Sequence, residues 1–408
     1  MTTLWDTTGS AVVKELAAQR RTGGAVLSGV ALTLVVVADE ARVAEAEEAA
    51  TAASEQHPCR ILVVVRRQID APVPRLDAEV SIGGRLGPGE AVVMRMYGRL
   101  ALHAESVVLP LLAADAPVVT WWHSEPPSQL TTDALAVIAD RRITDSTVAA
   151  DQLTALRTRA QDYAPGDTDL AWTRATGWRA TLTSALDSVS GRRGDAVRVL
   201  GGRIEGDPGT ATAQLLAGWI ESRAGARLEV VRSGRHTGPS GVDSVVLQLD
   251  QDEEVSVHAD RRGGAVISQP YRPDATMALP DRTLGDLLGE ELRRLDPDEP
   301  YAEALEMTTG VAGLGERAAR RAHVWVDPAE PDAAGTDGGA ADGAAPDGDP
   351  VAEGSPHGAA PTVPPTSEGT DEVALAGEHD TPDPTAPETA AGSPAESAER
   401  AAEPGAVR

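Results

Sequence analysis

The sequence predicts an α/β protein with two mixed-sheet domains, of which the second is α+β-like, followed by a disordered acidic C-terminal tail. Three observations predict this architecture. Short apolar runs rich in β-branched residues alternate with helical patterns, one long helical segment lies in the middle of the chain, and the composition changes sharply after residue 326. The 408 residues are enough for two ordinary domains and an appendage.

The first predicted domain, residues 1–165, starts with alternating strand and helix signals. Residues 29–38 and 59–65 are predicted to be buried strands, and the Ala/Glu-rich residues 42–56 between them are predicted to be a helix. A strand–helix–strand unit of this kind contains parallel strands covered by a helix. The remaining predicted elements are strands 79–82, 91–97 and 117–122, helices 6–20, 106–114, 133–139 and 151–163, and a turn at 86–89.

A helix is predicted over residues 169–189, because four apolar residues fall on one face at helical spacing: Ala171, Ala175, Leu182 and Leu186. On this helix Trp172 and Trp178 lie on opposite edges of the apolar stripe. Arg179 is expected near the first Trp, and Arg174 near the second. Residues 167–169, Asp-Thr-Asp, can cap its start. We expect the segment 166–194 to link the two domains.

The second predicted domain spans residues 195–326. Its predicted elements are strands 196–200, 227–232, 242–249, 254–260 and an edge strand 265–268, and helices 209–223, 284–295 and 301–311. Strands 242–249 and 254–260 are expected to pair as antiparallel neighbours. Residues 201–206, Gly-Gly-Arg-Ile-Glu-Gly, resemble a dinucleotide-binding loop, but Arg203 takes the place of the middle glycine. We therefore expect a plain turn there rather than an anion-binding loop.

The predicted tail, residues 327–408, holds 18 acidic and 2 basic residues, a net charge of −16. Pro, Ala, Gly, Asp and Glu dominate it. Such a segment cannot bury enough apolar surface to offset the entropy of ordering, so it is expected to be disordered. A solubilising extension is the favoured interpretation of the tail, and an acidic docking arm is the alternative.

The composition disfavours several classes of function. The net charge of −27 argues against nonspecific binding to nucleic acid and against docking on anionic membranes through a basic patch. The N-terminus lacks the basic region of a secretory signal, and the longest apolar run, 25–38, is too short and too interrupted to span a bilayer. We therefore expect a cytoplasmic protein without nucleic-acid or membrane partners.

Motifs for catalysis, cofactors and metals are missing from the sequence. A Walker A loop needs a Gly-Lys pair, but the one lysine, Lys14, follows Val13. Neither the metalloprotease His-Glu-x-x-His pattern nor a Gly-x-Ser-x-Gly elbow is present. The single cysteine, Cys59, rules out an internal disulfide and a multi-cysteine metal site. His57 two residues before it could suggest an activated thiol, but a small buried apolar residue is the favoured interpretation.

Two short segments hold four of the seven Trp residues of a chain that has no Phe and four Tyr. Trp is most valuable in a core or at a binding surface. The first segment also follows a predicted buried strand, and α/β proteins place ligand sites at the carboxyl ends of such strands. The candidate partner-interface residues are Trp121, Trp122, His123, Glu125, Asp169, Trp172, Arg174, Trp178 and Arg179.

Each candidate group has a structural alternative. Trp121 and Trp122 could belong to the core, with the two prolines at 126–127 only ending the strand. Arg174 and Arg179 could grip a carboxylate or a phosphate with two hydrogen bonds. Structural ion pairs are the alternative for both arginines, with three carboxylates as potential partners: Glu125, Asp167 and Asp169.

These segments resemble the glucose-6-phosphate dehydrogenase assembly protein family, called OpcA. The resemblance rests on His-Pro-Cys-Arg-Ile at 57–61, Trp-Trp-His-Ser-Glu-Pro-Pro at 121–127, Asp-Leu-Ala-Trp-Thr-Arg at 169–174 and Trp-Arg at 178–179. The order of these motifs matches as well. The combination is specific, whereas no single motif is. The resemblance covers residues 1–326 and leaves the acidic tail outside.

The resemblance implies a noncatalytic protein that binds glucose-6-phosphate dehydrogenase, favours its active oligomer and raises its activity. Such a protein supports NADPH production in the oxidative pentose phosphate pathway without a cofactor of its own, since the NADP chemistry belongs to the enzyme. Some branches of the family link activation to thiol redox state. With Cys59 alone, an internal disulfide switch is not available to this chain.

The resemblance places partner binding ahead of two other hypotheses. We expect the loop 121–125 and the helix around 172–179 to lie near each other and to form or brace the partner surface. One alternative is a sugar-phosphate-binding module that uses Arg174 and Arg179. Another is an enzyme that uses His123 and Glu125 as an acid/base pair.

Overall fold

The computed structural model describes residues 1–22, 30–83, 89–234, 240–260 and 262–319. The chain divides into two compact units, Met1–Ala333 and Ala334–Arg408, and all described residues belong to the first. Two mixed β-sheets with packed helices form this first unit, which confirms the predicted fold class. The predicted tail and all but the last residue of the predicted turn at 86–89 lie outside the described residues.

Sheet A, the larger sheet, has eight strands among the described residues, in the order β1-β4-β5-β3-β2-β6-β7-β8. Six of these described strands are parallel, and β4 runs antiparallel to β1 and β5. The strands are β1 (Thr2–Leu4), β2 (Leu32–Val37), β3 (Cys59–Arg66), β4 (Arg75–Ile82), β5 (Glu90–Tyr97), β6 (Val118–Trp122), β7 (Arg141–Thr144) and β8 (Asp167–Asp169). The predicted buried strands at 29–38, 59–65 and 117–122 are confirmed within a few residues.

Helices cover both faces of sheet A, as expected for parallel strands with apolar side chains on both faces. In β2, Val35 and Val37 pack into one apolar cluster, and Leu34 and Val36 pack into the cluster on the other face. The helices of this part are α1 (Gly9–Thr22), α2 (Val43–Gln56), α3 (Arg99–Leu102), α4 (Ala104–Val108), α5 (Ala134–Val137) and α6 (Gln152–Gln161). The predicted helix 106–114 is replaced by the short α4 and a 3-10 turn, Leu109–Leu111.

Strands β7 and β8 were missed by the sequence analysis because their residues are polar. In Arg-Arg-Ile-Thr and Asp-Thr-Asp, every residue is nevertheless buried. Burial of such groups requires partners, and the partners here come from distant elements. The Arg142 guanidinium, for example, donates from Nε to Asp167 and from Nη1 to the Ala139 carbonyl oxygen. A hydropathy pattern does not reveal strands that are stabilised in this way.

The helix predicted over 169–189 is two helices, α7 (Leu170–Arg174) and α8 (Thr176–Arg193), with a break at Ala175. The break divides the apolar stripe between two clusters. Trp172 packs with α6 and with two helices further along the chain, at residues 211–224 and 299–309, whereas Trp178 packs against the second sheet. The two indoles therefore belong to different apolar clusters, one on each side of the break. The predicted cap is confirmed, since the Asp169 side chain accepts a hydrogen bond from the Ala171 amide.

Sheet B has six strands among the described residues, in the order β10-β9-β11-β12-β13-β14. The elements of this part are β9 (Val199–Gly206), α9 (Ala211–Ala224), β10 (Leu228–Arg232), β11 (Val242–Leu249), β12 (Glu254–Ala259), β13 (Gly264–Ser268) and β14 (Ala275–Ala278). The antiparallel pairing of β11 with β12 is confirmed. The expectation that 265–268 forms an edge strand was wrong, because β14 pairs with its outer side.

The predicted turn at 201–206 was also wrong, because these residues continue strand β9. Their glycines permit close contact with the next strand. A Cβ on Gly202 would lie 2.2 Å from the Val246 carbonyl oxygen, so no larger residue fits without displacement of the backbone. Helices α8 and α9 cover one face of sheet B, where Ile204 and Val245 belong to their shared apolar cluster.

Helix α10 (Leu284–Leu292) follows sheet B in the chain, but it packs on α2 beside sheet A. A Cβ on Gly285 would lie 2.6 Å from the Ala52 Cβ, which shows how closely the two helices approach. Helix α11 (Glu299–Thr309) completes the fold against α9. The boundaries proposed at 165, 194 and 326 stay predictions. None of the helices in the described ranges is both long and apolar enough to cross a lipid bilayer.

Candidate functional site

The candidate residues at 121–125 lie at the carboxyl edge of sheet A, where the strand order reverses between β2 and β6. Chain connections leave in opposite directions from such a point and open a crevice. Here the amides of His123 and Ser124 both donate to the Val37 carbonyl oxygen, at 2.9 and 3.3 Å. These hydrogen bonds extend the β2–β6 pairing by two residues and fix the start of the loop.

Trp121 and Trp122 are both buried, on opposite faces of sheet A. Trp121 belongs to the cluster with α2 and α10, and Trp122 belongs to the cluster with α1 and α5. Neither indole N–H has a hydrogen-bond partner among the described residues. The structure therefore places both side chains in the core, which was the structural alternative in the sequence analysis.

His123 is buried beside Trp121, with a distance of 4.7 Å between the ring centroids. Its Nε2 lies 3.1 Å from a Glu45 carboxylate oxygen, and its carbonyl oxygen accepts a 2.9 Å hydrogen bond from Arg42. Burial lowers the pKa of His123 and the nearby Arg42 lowers it further, although Glu45 and Asp145 oppose this shift.

Glu125, in contrast to His123, is exposed on the same loop. It has no ion-pair partner within the described part of the chain. The backbone after Glu125 is held by the buried Arg159, which donates hydrogen bonds to the carbonyl oxygens of Pro127 and Ser128, at 2.6 and 3.1 Å. The loop is therefore an exposed segment on a rigid support.

Arg174 forms a bidentate ion pair with Asp145, with distances of 2.8 and 2.9 Å between the paired atoms. The predicted partners of this arginine, Glu125, Asp167 and Asp169, are not the ones observed. Asp145 directly follows β7, and its charge also acts on His123. It thus lies between the loop and α7. Asp145 was not predicted as a site residue, because strand β7 was not predicted from the sequence. The sequence feature that could have indicated it is an acidic residue directly after the Ile-Thr pair at 143–144.

Asp169 is fully buried and caps helix α7. It accepts hydrogen bonds from the Ser146 amide at 3.0 Å, the Ser146 hydroxyl at 2.6 Å and the Thr144 hydroxyl at 2.8 Å. Burial raises its pKa and the neighbouring Asp145 adds to this, whereas the hydrogen bonds from Ser146 and Ala171 oppose it. This carboxylate joins the end of β7 to the start of α7.

Trp172 and Arg179 stack on each other, which confirms the prediction that they lie near each other. The guanidinium carbon lies 3.4 Å from the indole ring centroid, a close cation–π contact. The indole N–H donates to Asp298 at 2.8 Å, and Arg179 Nη2 donates to the Thr176 hydroxyl at 2.9 Å. Burial lowers the pKa of Arg179 to about 10. The predicted nearness of Arg174 to Trp178 stays a prediction, and the guanidinium of Arg174 pairs with Asp145.

A buried ion pair connects this region to helix α10. Arg141 on β7 contacts Glu291 through Nε, at 3.2 Å, and through Nη2. The second oxygen of Glu291 accepts a 2.6 Å hydrogen bond from the Thr173 hydroxyl. Glu290, one residue earlier, accepts from Thr176 at 2.8 Å. The Asp-Leu-Ala-Trp-Thr-Arg motif is therefore the connection between sheet A and the last helices.

Comparison with family models identifies both halves of the chain. Residues 50–161 match the glucose-6-phosphate dehydrogenase subunit N-terminal domain of the OpcA assembly family, and residues 165–305 match its C-terminal domain. The chain belongs to the OpcA glucose-6-phosphate dehydrogenase assembly family. The resemblance stated from the sequence is thereby confirmed. The OpcA motifs quoted above fall inside the matched ranges, and the first 49 residues lie before them.

Two further comparisons give little beyond the OpcA assignment. The curated proteins contain no match to this chain. Among solved structures, the chain is similar to the crystal structure of an oxidoreductase from Sinorhizobium meliloti, with a TM-score of 0.37 and 9% sequence identity. That similarity covers 71% of this chain and 97% of the other.

In this OpcA chain, the candidate arginines are engaged in internal contacts rather than presented to an anionic ligand. Arg174 is neutralised by Asp145, and Arg179 lies on Trp172. Within the described ranges, no group of three or more His, Cys, Asp or Glu side chains is arranged to hold a metal ion. The candidate side chains are thus held by internal contacts, and Glu125 on the loop after β6 is exposed.

Cys59 of this OpcA chain is expected to resist thiol reagents in the folded protein. It is buried in β3, and burial raises the pKa of its thiol from 9.0 to about 12. Because only the thiolate is reactive, labelling at about pH 8 should be slow in buffer and fast in denaturant. The stability contributed by the neutral thiol should fall as the pH rises from 9.0 towards 12, where only the unfolded chain ionises readily. Equal labelling rates in the two conditions would contradict the burial.

Proposed function

We propose that this chain is a noncatalytic subunit that binds glucose-6-phosphate dehydrogenase, promotes its active oligomer and raises its activity. In this role it supports NADPH production in the oxidative pentose phosphate pathway, in the cytoplasm where that enzyme works. The observation that carries the proposal is the match of both subunit domains, in order, over residues 50–305. Family membership supports glucose-6-phosphate dehydrogenase as the partner, and the folded chain would provide the surface that binds it.

The geometry of the candidate residues supports binding more than chemistry. A general acid or base needs a free proton site within reach of a substrate. The Nε2 of His123 is instead directed at Glu45, and the exposed Glu125 sits on the loop without a described catalytic partner. The sugar-phosphate alternative requires free guanidinium groups, whereas Arg174 and Arg179 make internal contacts.

We infer separate roles for the candidate interface residues. Glu125 is exposed and able to contact a partner directly. The buried candidates do not contact the partner but position the loop and the helices α7 and α8: Trp121, Trp122, His123, Asp169, Trp172 and Trp178. Arg174 and Arg179, which are partly exposed, hold Asp145 and the α7–α8 junction. Partner contacts in this region would therefore be polar and near the rim of an interface.

Adding the purified chain to its cognate glucose-6-phosphate dehydrogenase is expected to raise the enzyme's activity and to shift the mixture to a larger species in size-exclusion chromatography. Activity should be measured across enzyme concentrations, because a promoter of assembly has its largest effect where the enzyme alone dissociates. The chain alone, assayed with glucose 6-phosphate and NADP, is the control for intrinsic turnover. If the enzyme is not activated and no larger species forms, the proposal is refuted.

A further inference from the structure

A cavity of about 390 Å³ opens beside the N-terminal end of α1, away from the residues discussed so far. Four segments line it: residues 7–10, 74–76, 100 and 106–110. Leu76, Leu100, Val107 and Pro110 provide apolar walls, and Thr and Ser side chains provide hydroxyl groups at the rim. Such a cavity has room for a large apolar side chain.

The cavity carries little free charge. Its one charged lining side chain, Arg75, forms two hydrogen bonds with the buried Asp77 carboxylate, at 2.9 and 2.7 Å. That pairing neutralises the guanidinium, so the cavity does not offer an arginine to an anionic metabolite. An apolar group that contacts the apolar walls, while the Thr and Ser hydroxyl groups stay in contact with water, fits this cavity better than an anion does.

Three exposed apolar residues are close neighbours, along the chain, of residues that line the cavity. Trp5 is 68% exposed, Val73 is 69% exposed and Leu109 is 48% exposed. Each of them lies within two residues of a lining residue in the sequence. Isolated exposed apolar residues are ordinary on protein surfaces, but an exposed Trp beside an apolar cavity is the arrangement of an interaction site.

Trp5 is also distinct among the tryptophans of the described residues. Trp121, Trp122, Trp172 and Trp178 are buried, and Trp219 is packed against two apolar clusters. Protein interfaces depend on a few anchors, among which Trp is enriched. Since the motif tryptophans lie in the core, Trp5 is the indole that the described chain presents to a partner. It precedes the matched family ranges, whereas residues 74–110 of the cavity lie inside them.

We propose that Trp5 and the adjacent cavity form an apolar docking site for glucose-6-phosphate dehydrogenase, which inserts an apolar side chain into the cavity and packs against the indole. This inference rests on the proposed function, which supplies the partner. The dehydrogenase is preferred to a second copy of this chain because family membership describes the chain as a subunit of that enzyme. The apolar side chains of Leu76, Leu100 and Val107 favour a protein side chain over a phosphate-bearing ligand, because the one charged lining residue, Arg75, is already paired with Asp77.

The test compares three variants of the full chain for binding to the immobilised dehydrogenase. Trp5→Ala removes the anchor, and Ser106→Trp fills the cavity from an exposed position on α4. Leu200→Ala, at a 57% exposed leucine on β9, is the matched control. We expect Trp5→Ala and Ser106→Trp each to weaken binding by about tenfold or more, and the control to stay within about threefold of the original chain.

Each other outcome has a defined meaning. If the unaltered chain binds but both site variants bind equally well, the docking site is refuted while the proposed function survives. If the unaltered chain does not bind at all, the proposed function and this inference both fail. If Trp5→Ala changes only the self-association of the chain, measured by light scattering, the occupant is a second copy and the inference is overturned. Unchanged thermal unfolding of the variants confirms that each is folded.

Discussion

Replacing Glu291 with Ala is expected to lower the free energy of unfolding by about 3–5 kcal/mol. The side chains of Arg141 and Glu291 are only 2% and 6% exposed, so their ion pair is shielded from water. Removal of the carboxylate would leave the buried guanidinium with the Asp296 carbonyl oxygen, 2.9 Å away, as its remaining hydrogen-bond acceptor among the described residues. Thr173 would lose its 2.6 Å hydrogen bond and keep the 3.4 Å contact with the Asp169 carbonyl oxygen. Urea unfolding followed by Trp fluorescence measures the change.

An exposed ion pair provides the control for this prediction. Arg223 and Glu303 join α9 to α11 with side chains that are 49% and 44% exposed. Glu303→Ala should therefore change the free energy of unfolding by less than about 1 kcal/mol. Glu291→Gln, which keeps the shape but exchanges one acceptor oxygen and the charge for an NH2 group, should fall between the two variants. If Glu291→Ala behaves like Glu303→Ala, the buried pair does not hold α10 to sheet A.

Trp172→Ala should also destabilise the protein by about 3–5 kcal/mol, because it empties the space of a large buried side chain. The indole is 1% exposed and contacts Tyr301 with a distance of 6.0 Å between ring centroids. Its loss would remove the cation–π contact with Arg179 and the donor to Asp298. Thermal unfolding measured by circular dichroism provides the comparison with the original chain.

The same substitution at an exposed position is the matched control. Trp5→Ala removes an indole that is 68% exposed and should change stability by no more than about 0.5 kcal/mol. Trp172→Phe keeps most of the apolar volume but loses the N–H donor, so its cost should be smaller than that of Trp172→Ala. Similar stabilities for Trp172→Ala and Trp5→Ala would contradict the assignment of Trp172 to the core.

The family motifs contain residues that stabilise the fold, not only residues that could contact a partner. Trp172, Asp169 and Arg174 hold β7, β8, α7 and the last helices in place through buried contacts. Mutations at such residues would reduce activation of the dehydrogenase by unfolding or displacing the scaffold. A measurement of stability must therefore accompany every activation assay on the motif variants, whereas Trp5 variants allow binding to be tested without that complication.

The sequence by itself predicted the elements whose stability comes from their own apolar pattern. Strands 29–38, 59–65 and 117–122 and the β11–β12 hairpin were predicted from short apolar runs, because buried strands require such side chains. The closeness of Arg179 to Trp172 was also predictable, since seven residues are about two helical turns and place both on one side of the helix. The combination of motifs identified the family.

Only the tertiary structure decided the features that depend on distant partners. Strands β7 and β8 are polar and become buried because Glu291 and other groups far along the chain satisfy them. The glycines at 201–206 allow close strand contact, which local sequence does not distinguish from a turn. The sequence left Trp121 and Trp122 open as interface or core residues, and packing on opposite faces of sheet A made both of them core. The local sequence pattern indicates which side chains favour burial, but the packing of distant elements decides which side chains are buried.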